Sequence, residues 1–410
     1  MTEEEYLKKA AFVSELGLAL HECGATSHRI EKHLTNLCGV LGINGSFLIN
    51  ATSITSCFWL HDKTDQHIHI ERVHPADGDL GKLELIDALV DQVESGECNF
   101  SQARDELQQI FRMGPSYGHF TSLIGAVVLS ASFAALMSFN YNNVIVAALA
   151  TIVIFYLNKL GGKVDRLSDT IEIVSAMLAG IMATGIAAIG VKINVPFVIL
   201  STIVIFIPGL ALTTSLSEIA CRILISGTSK LVHAVMTLFK LYFGSILGVG
   251  IGVLLWGAGA GDDLHGIHNM PQWKTLPAIA LLSISLTVCF NIRPQRMLWC
   301  AVAALIGFYV ARSGEQHFGV ASGMFLGAFC VGIFANFYAN LSRIPSSIIL
   351  SGGLVVLVPG SKTYLLLNSW ITGEQIADHY TNGTQAFLIF ISLVIGLLFA
   401  NAVLPTKKSL

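Results

Sequence analysis

Two matched Pro-Gly pairs are the residues of this chain best placed to do chemistry. A proline, an apolar run and then a Pro-Gly pair recur in INVPFVILSTIVIFIPGLALTTS and in SRIPSSIILSGGLVVLVPGSKTY. Proline cannot donate the helical hydrogen bond and glycine permits a reversal of the backbone, so peptide groups are freed within an apolar segment. These groups need a partner, and a bound substrate can supply one.

The residues that follow each pair favour an anionic group as that partner. A helix that restarts after a Pro-Gly break points its first amides at an anion, and hydroxyl or ammonium side chains stand close by in both copies. The alternative, that Pro-Gly only kinks a packed helix, suits a single break better than a matched pair. We therefore predict a site for a carboxylate-bearing substrate, formed by Pro208, Gly209, Thr213, Thr214, Ser215, Pro359, Gly360, Ser361, Lys362 and Thr363.

Ionisable residues near the apolar segments are candidates for proton coupling, because charge is costly there and usually functional. Glu218 is the first choice, since it follows the Pro208-Gly209 break by about two and a half turns. Interfacial capping, or an ion pair between Glu218 and Arg222, is the plainer alternative. The candidates are Glu218, Asp169, Glu172, Asp165 and Lys240.

Lys240 differs from the other candidates because it lies well inside an apolar segment. Gly244, Gly248 and Gly252 follow it at four-residue steps on the same helical face. That spacing predicts a close-packed seam between helices around the lysine. Extension of the lysine side chain towards the membrane surface is the competing interpretation.

Other chemistries have weaker support. His67 and His69 would share one strand face, as a metal pair requires, but nothing fixes a third ligand there or in GDDLHGIHN, so we expect no metal. HExxH, GxSxG and GxxxxGK[ST] motifs are absent, and with them the case for an enzyme or a cofactor. A net charge of −3 gives no case for nucleic acid.

The elements that must position these residues follow from composition and periodicity. The chain is 53% hydrophobic and 12% charged, and its charge is concentrated in residues 1–112, where two helices, a three-stranded antiparallel meander from Ser46 to Val73 and two more helices are predicted. Ten apolar segments of roughly 20 residues follow. They occupy approximately 118–139, 143–157, 170–191, 195–225, 231–256, 275–290, 297–311, 316–340, 345–369 and 384–404.

The recurrence of the Pro-Gly pattern in the fourth and ninth segments predicts a duplicated five-span unit whose second copy is inverted. The predicted fold is an α-helical polytopic membrane protein with about ten transmembrane helices as two inverted repeats. An N-terminal cytoplasmic α+β domain precedes them. The boundaries are 1–117 for this domain, 118–256 for the first repeat and 257–410 for the second.

Basic residues and the first residues of the chain predict the orientation. The opening MTEEEYLKKA is acidic and unlike a secretory signal, and ten crossings leave only Lys192, Lys274 and Arg312 outside. We expect a multi-pass protein of the cell (inner) membrane with both termini in the cytoplasm. The eight cysteines should be reduced, since four lie in the predicted cytoplasmic domain.

Three stretches resemble the threonine/serine exporter family across nearly the whole chain. They are ECGATSHRIEKHLTNLCGVLG at 22–42, GDLGKLELIDALVDQVESGECNFSQARDEL at 78–107 and IPSSIILSGGLVVLVPGSKTYLLL at 344–367. Within the first, Gly24, Ser27, Arg29 and Glu31 carry the likeness. The charged loop 257–273 has no counterpart in the family pattern.

The resemblance implies export of small carboxylate metabolites, threonine and serine for some members and the dicarboxylate succinate for a split relative. Together with the residues, it predicts a secondary transporter, an antiporter for threonine or serine driven by protons. A dicarboxylate exporter and a membrane sensor with a cytoplasmic domain are the alternatives. The expected partners are the substrate, protons and lipid, and a homo-oligomer is left open.

Overall fold

The computed structural model combines a small α/β unit with a long series of apolar helices. It describes residues 2–60, 66–73, 78–137, 139–162, 164, 170–257, 272–357 and 383–405. The stretch from Pro359 to Thr363, together with Asp165 and Asp169, lies outside these residues. The predictions made for those positions therefore stay predictions.

The first seven elements correspond to the predicted N-terminal domain, a name that we keep for residues 2–112, and the predicted meander within them is confirmed. Strands β1, β2 and β3 pair antiparallel in that order, with Phe47 opposite Ser56 and Ser56 opposite His69. The elements are α1 (Glu3–Glu22), α2 (Ser27–Leu41), β1 (Asn44–Ile49), β2 (Ser53–Trp59), β3 (Gln66–Arg72), α3 (Leu80–Glu94) and α4 (Phe100–Arg112).

The break between α1 and α2 depends on one backbone conformation. Gly24 has a φ of 84°, a left-handed conformation that favours glycine, and it turns the chain so that α2 can begin at Ser27. Close by in the domain core, the Arg29 guanidinium forms a salt bridge with Asp87, which is 0% exposed. A buried carboxylate needs such a partner, so this pair fixes how α2 sits on α3.

Among the residues that the structure describes, eleven further α-helices follow the domain. They are α5 (His119–Met137), α6 (Tyr141–Gly161), α7 (Ile171–Ala188), α8 (Val195–Thr202), α9 (Gly209–Ala220), α10 (Leu224–Trp256), α11 (Gln272–Cys289), α12 (Met297–Phe318), α13 (Val320–Ser342), α14 (Ser346–Leu357) and α15 (Gly383–Val403). We call α5–α10 the first half and α11–α15 the second half.

The number of membrane crossings is only partly settled by these helices. Each of the ten predicted segments contains a helix, and among the described residues six helices are long and apolar enough to cross a membrane. The pair formed by 195–202 and 204–220, bent by 57°, makes a seventh. Ten crossings and an inverted repeat therefore remain predictions.

One helix pair packs in the same way in the two halves. In the first half the third segment, α7, packs along the fifth, α10, and in the second half α13 packs along α15 in the same way. The first segments of the halves, α5 and α11, pack against each other.

The glycine seam predicted on α10 is present and contacts α7. A Cβ atom at Gly244 would lie 2.4 Å from the Ile173 carbonyl oxygen, and one at Gly248 would lie 2.1 Å from that of Met177. Gly244 and Gly248 face backbone atoms of α7, so a movement of side chains could not make room for a Cβ atom. The absence of a Cβ is what allows α7 and α10 to approach so closely.

Replacing Gly248 by alanine should destabilise the protein by about 1–3 kcal/mol, because the new methyl group meets backbone. The matched control is Gly250→Ala, two residues away on the same helix, where nothing lies within 4 Å of a Cβ. Thermal unfolding in detergent should show a lower melting temperature for Gly248→Ala alone. Equal melting temperatures for the two variants would refute the seam.

Candidate functional site

A cavity lies where the N-terminal domain, the broken helix of the first half and two helices of the second half meet. It has a volume of about 90 Å³, which is room for several water molecules. Its walls are mixed: leucines from α9, α14 and α15 face hydroxyl, amide and charged groups. The polar lining residues are Thr26, His28, Arg29, Thr213, Thr214, Ser217, Glu218, Ser347 and Asn401.

The helix break at Pro208 places α9 beside this cavity. A short 3-10 turn ends at Phe206, and α9 restarts at Gly209 with Pro208 as the residue before it. A bend of 57° lies just upstream, between 195–202 and 204–220. Thr213 and Thr214 line the cavity, but their hydroxyls donate to the carbonyls of Gly209 and Leu210 at 3.1 and 3.0 Å. What they offer to a ligand is the acceptor capacity of their oxygens.

Glu218 is the most constrained charged group of the cavity wall, with 3% of its side chain exposed. The Lys230 ammonium lies 2.5 Å from Oε1, and the Ser226 hydroxyl donates to Oε2 at 2.8 Å. A third donor is the backbone N–H of Ser27, 3.1 Å from Oε1. Because Ser27 opens α2, the carboxylate also receives the positive end of that helix.

The N-terminal domain supplies one wall of the cavity through the turn from Gly24 to Arg29. Two side-chain oxygens of the wall, Thr26 Oγ1 and Ser347 Oγ, are buried and make no hydrogen bond to the described residues. Buried polar groups without partners are rare and mark places where water or a ligand binds. They come from the domain and from α14 respectively.

The domain also docks against the segment between α11 and α12, through Leu80 and its neighbours at the edge of the cavity. The backbone N–H of Leu80 donates to the Phe290 carbonyl at 3.1 Å, and a Cβ at Gly81 would lie 2.2 Å from the Asn291 carbonyl oxygen. The Arg296 guanidinium lies 3.0 Å from Glu84 Oε1. This contact combines backbone proximity with an ion pair.

The structure places the predicted site residues in two regions. Thr213, Thr214 and Glu218 share the cavity, and Ser215 is buried on the same helix without lining it. Lys240 and Glu172 form a separate pair, Nζ to Oε2 3.5 Å, between α10 and α7.

The ion pair considered between Glu218 and Arg222 is not formed, since Glu218 pairs with Lys230. Arg222 is exposed and has a φ of 68° at the end of α9, which turns the chain into α10.

Several cavity residues were not predicted as site residues. They are Thr26, His28, Arg29, Ser217, Ser347 and Asn401, with Ser226 and Lys230 behind Glu218. A signal existed for the first group, because ECGATSHRI is one of the stretches that carry the family likeness. Nothing in the local pattern indicated that this stretch would reach α9.

Cysteine and histidine chemistry adds little to the site. Cys23, next to the turn, is buried, and burial raises the pKa of its thiol to about 12, so the thiol stays protonated and unreactive. His67 and His69 lie on exposed β3, and no group of three metal-binding side chains occurs among the described residues.

Comparison with known proteins identifies the family of this chain. A family described as "Putative threonine/serine exporter" matches residues 11–252, and "Threonine/Serine exporter, ThrE" matches residues 276–403. The chain belongs to the threonine/serine exporter family. With its apolar helices, this membership makes it a membrane protein of an exporter family.

Relatives of this exporter-family chain occur in yeasts. An uncharacterised protein of Schizosaccharomyces pombe is 22% identical over 433 residues, which cover 97% of this chain and 55% of that protein. "Pheromone-regulated membrane protein 10" of Pichia sorbitophila is 21% identical, covering 93% of this chain and 39% of its own length. That of Zygosaccharomyces rouxii is 21% identical, with 93% and 40% covered.

The exporter-family chain thus spans about half or less of the length of these relatives. No solved structure matches it.

Lys230→Met should destabilise the exporter-family protein by about 3 kcal/mol, because it leaves the nearly buried Glu218 carboxylate without its cation. Lys8→Met is the control, since the Lys8–Glu4 pair is exposed to solvent and its loss should leave the melting temperature nearly unchanged. Melting temperatures in detergent measure both. The double variant Lys230→Met/Glu218→Gln should regain part of the loss, and a double variant less stable than Lys230→Met would contradict the pairing.

Proposed function

We propose that this protein is a secondary transporter that exports threonine or serine through the cavity beside α9, in exchange for protons. The observation that carries the proposal is the charge of the cavity wall. It holds one guanidinium, Arg29, and one carboxylate, Glu218, together with a ring of hydroxyl groups. Such a wall suits a small solute that is itself polar and carries both charges.

The same charge balance favours an amino acid over a dicarboxylate. An amino acid is a zwitterion, whose ammonium and carboxylate can each face the opposite charge. A dicarboxylate with two negative charges would meet the Glu218 carboxylate, and both nearby cations are already paired: Lys230 with Glu218 at 2.5 Å and Arg29 with Asp87. The hydroxyl side chain of threonine or serine fits the unpartnered oxygens of Thr26 and Ser347.

Proton exchange provides enough driving force for this export. Moving one proton inward against a neutral zwitterion transfers one charge, worth about 2.3 kcal/mol per 100 mV, which supports roughly a fiftyfold outward gradient. A pH gradient adds about 1.4 kcal/mol per unit. Glu218 is the proposed proton carrier, because it is the carboxylate of the cavity wall and is almost fully buried, with Lys230 as its cation.

The proposed topology has ten spans in two inverted repeats, both termini in the cytoplasm and the N-terminal domain on that side. The matched packing of α7 on α10 and of α13 on α15 supports the repeat. The basic residues at the segment ends support the orientation.

Sealed vesicles carrying the full chain test the substrate. Labelled threonine and serine should move with an imposed proton gradient, and labelled succinate should move at no more than the rate of empty vesicles. Succinate transport in place of threonine and serine would overturn the assignment. Transport that persists unchanged after the proton gradient is collapsed would exclude proton coupling.

Glu218→Gln should keep downhill exchange of threonine and lose accumulation against a gradient, because glutamine accepts hydrogen bonds but cannot carry the proton. Glu172→Gln is the matched comparison: its carboxylate pairs with Lys240 outside the cavity wall, so accumulation should persist. Steady-state threonine gradients under a fixed proton gradient measure both. Loss of accumulation in Glu172→Gln alone would move the proton site to the α7–α10 pair.

A further inference from the structure

The N-terminal domain is joined to the two halves of the transporter by different kinds of contact. Its apolar core is continuous with that of the second half, where Ile292 and Cys300 belong to the same cluster of buried side chains as Leu83. Leu80 and Gly81 touch the backbone of Phe290 and Asn291 directly. The Arg296–Glu84 ion pair adds a charged contact on the same side, with the Glu84 side chain 8% exposed. A contact that combines buried apolar surface, abutting backbones and a nearly buried ion pair resists separation.

The contact with the first half at the cavity is polar. Besides the Ser27 N–H bond to Glu218, the hydroxyl oxygens of Ser27 and Ser226 lie 2.6 Å apart. Ser226 in turn donates to Glu218, so one carboxylate and two serines form the connection between α2, α9 and α10. We call Ser27, Glu218 and Ser226 the latch.

Both contacts adjoin the domain surface that lines the cavity. The turn from Gly24 to Arg29 closes the wall at the latch, and Leu80 lies on the same wall next to the contact with the second half. Hydrogen bonds to a carboxylate can be exchanged for bonds to water when the surfaces part, whereas apolar burial cannot. The latch is therefore the side that opens.

We infer that the N-terminal domain is the inner gate of the transport cavity. It moves with the second half, and it opens and closes the cytoplasmic mouth by breaking and remaking the latch to Glu218 on the first half. The inference rests on the proposed function for what passes through the cavity and for the side of the membrane on which the mouth lies. The opening itself is a property of the fold.

Glu218 then has two tasks in the cycle. As a carboxylate it holds the Ser27 N–H at the start of α2, so the gate stays shut. A proton arriving at Glu218 removes the charge that makes this hydrogen bond strong, and the latch weakens. Proton uptake and opening of the inner mouth are thereby the same event.

Cysteine labelling measures the gate without requiring transport. In full-length protein whose eight native cysteines are replaced, Ser27→Cys is treated in inside-out vesicles with a membrane-impermeant maleimide. Ser27 is 2% exposed, so labelling reports opening. Adding Glu218→Gln should speed the labelling about tenfold, the effect of weakening one charge-assisted hydrogen bond.

Ser56→Cys is the matched control, because Ser56 is 0% exposed in the centre of β2, inside the same domain. Its labelling should stay slow with and without Glu218→Gln. Equal labelling rates of Ser27→Cys in the two backgrounds would overturn the gate. Equal acceleration of Ser56→Cys would also overturn it, because the domain would then be unfolding.

A cross-link across the latch adds the functional arm. Oxidising Ser27→Cys/Ser226→Cys should stop threonine transport, and a reductant should restore it to the level before oxidation. Unchanged transport with the disulfide formed would refute the gate and leave the exporter assignment standing. If the unsubstituted chain transports none of the tested solutes, the proposed function fails, and the labelling rates still decide the gate.

Discussion

A carboxylate removed from water must find its compensation within the protein, and in this chain that requirement falls on Glu218. It is almost fully buried, and its oxygens are satisfied by an ammonium and a hydroxyl from the first turns of α10 and by a backbone amide from the start of α2. The cost of leaving such a group unpaired is several kcal/mol. The need to compensate this charge explains why the start of α2 lies at the cavity. It also explains why the chain turns from α9 into α10 so that Ser226 and Lys230 reach Glu218.

This constraint has a second side in the helix break. Pro208 cannot donate a helical hydrogen bond, and the chain is already bent by 57° between 195–202 and 204–220. The helix α9 is therefore a separate short helix rather than the continuation of α8. A short helix can present Thr213, Thr214 and Glu218 along one face to a cavity. A straight crossing helix would have buried the same residues against its neighbours.

Local regularities made part of this structure predictable from sequence. The meander, the glycine seam and the break at Pro208 each leave a periodic or steric mark within a few residues, and each is present. The spacing from Pro208 likewise brought Glu218 forward as a site residue. Its partner was not predictable, because Lys230 approaches only after Arg222, with its φ of 68°, has turned the chain back.

The cavity wall from the N-terminal domain was beyond sequence reasoning for a similar cause. The hydrogen bond from Ser27 to Glu218 joins residues 191 positions apart, and no helical or strand period extends that far. The membrane topology stays a prediction, since the helices by themselves do not fix the number of crossings. For such long-range contacts the sequence offers only the family likeness around Ser27. That likeness marks the stretch as a candidate for function but does not identify the residues that it contacts.

The continuity between the core of the N-terminal domain and that of the second half has a consequence for assembly. The domain is covalently attached to α5 of the first half and packs against the second half. It would therefore connect the two halves even if the chain were cut between α10 and α11. A covalent connection that holds two surfaces near each other raises their effective concentration and so favours their association. In a related protein whose two halves are separate chains, the same buried surface would be the interface between the chains. The domain on the first chain would then select the correct second chain.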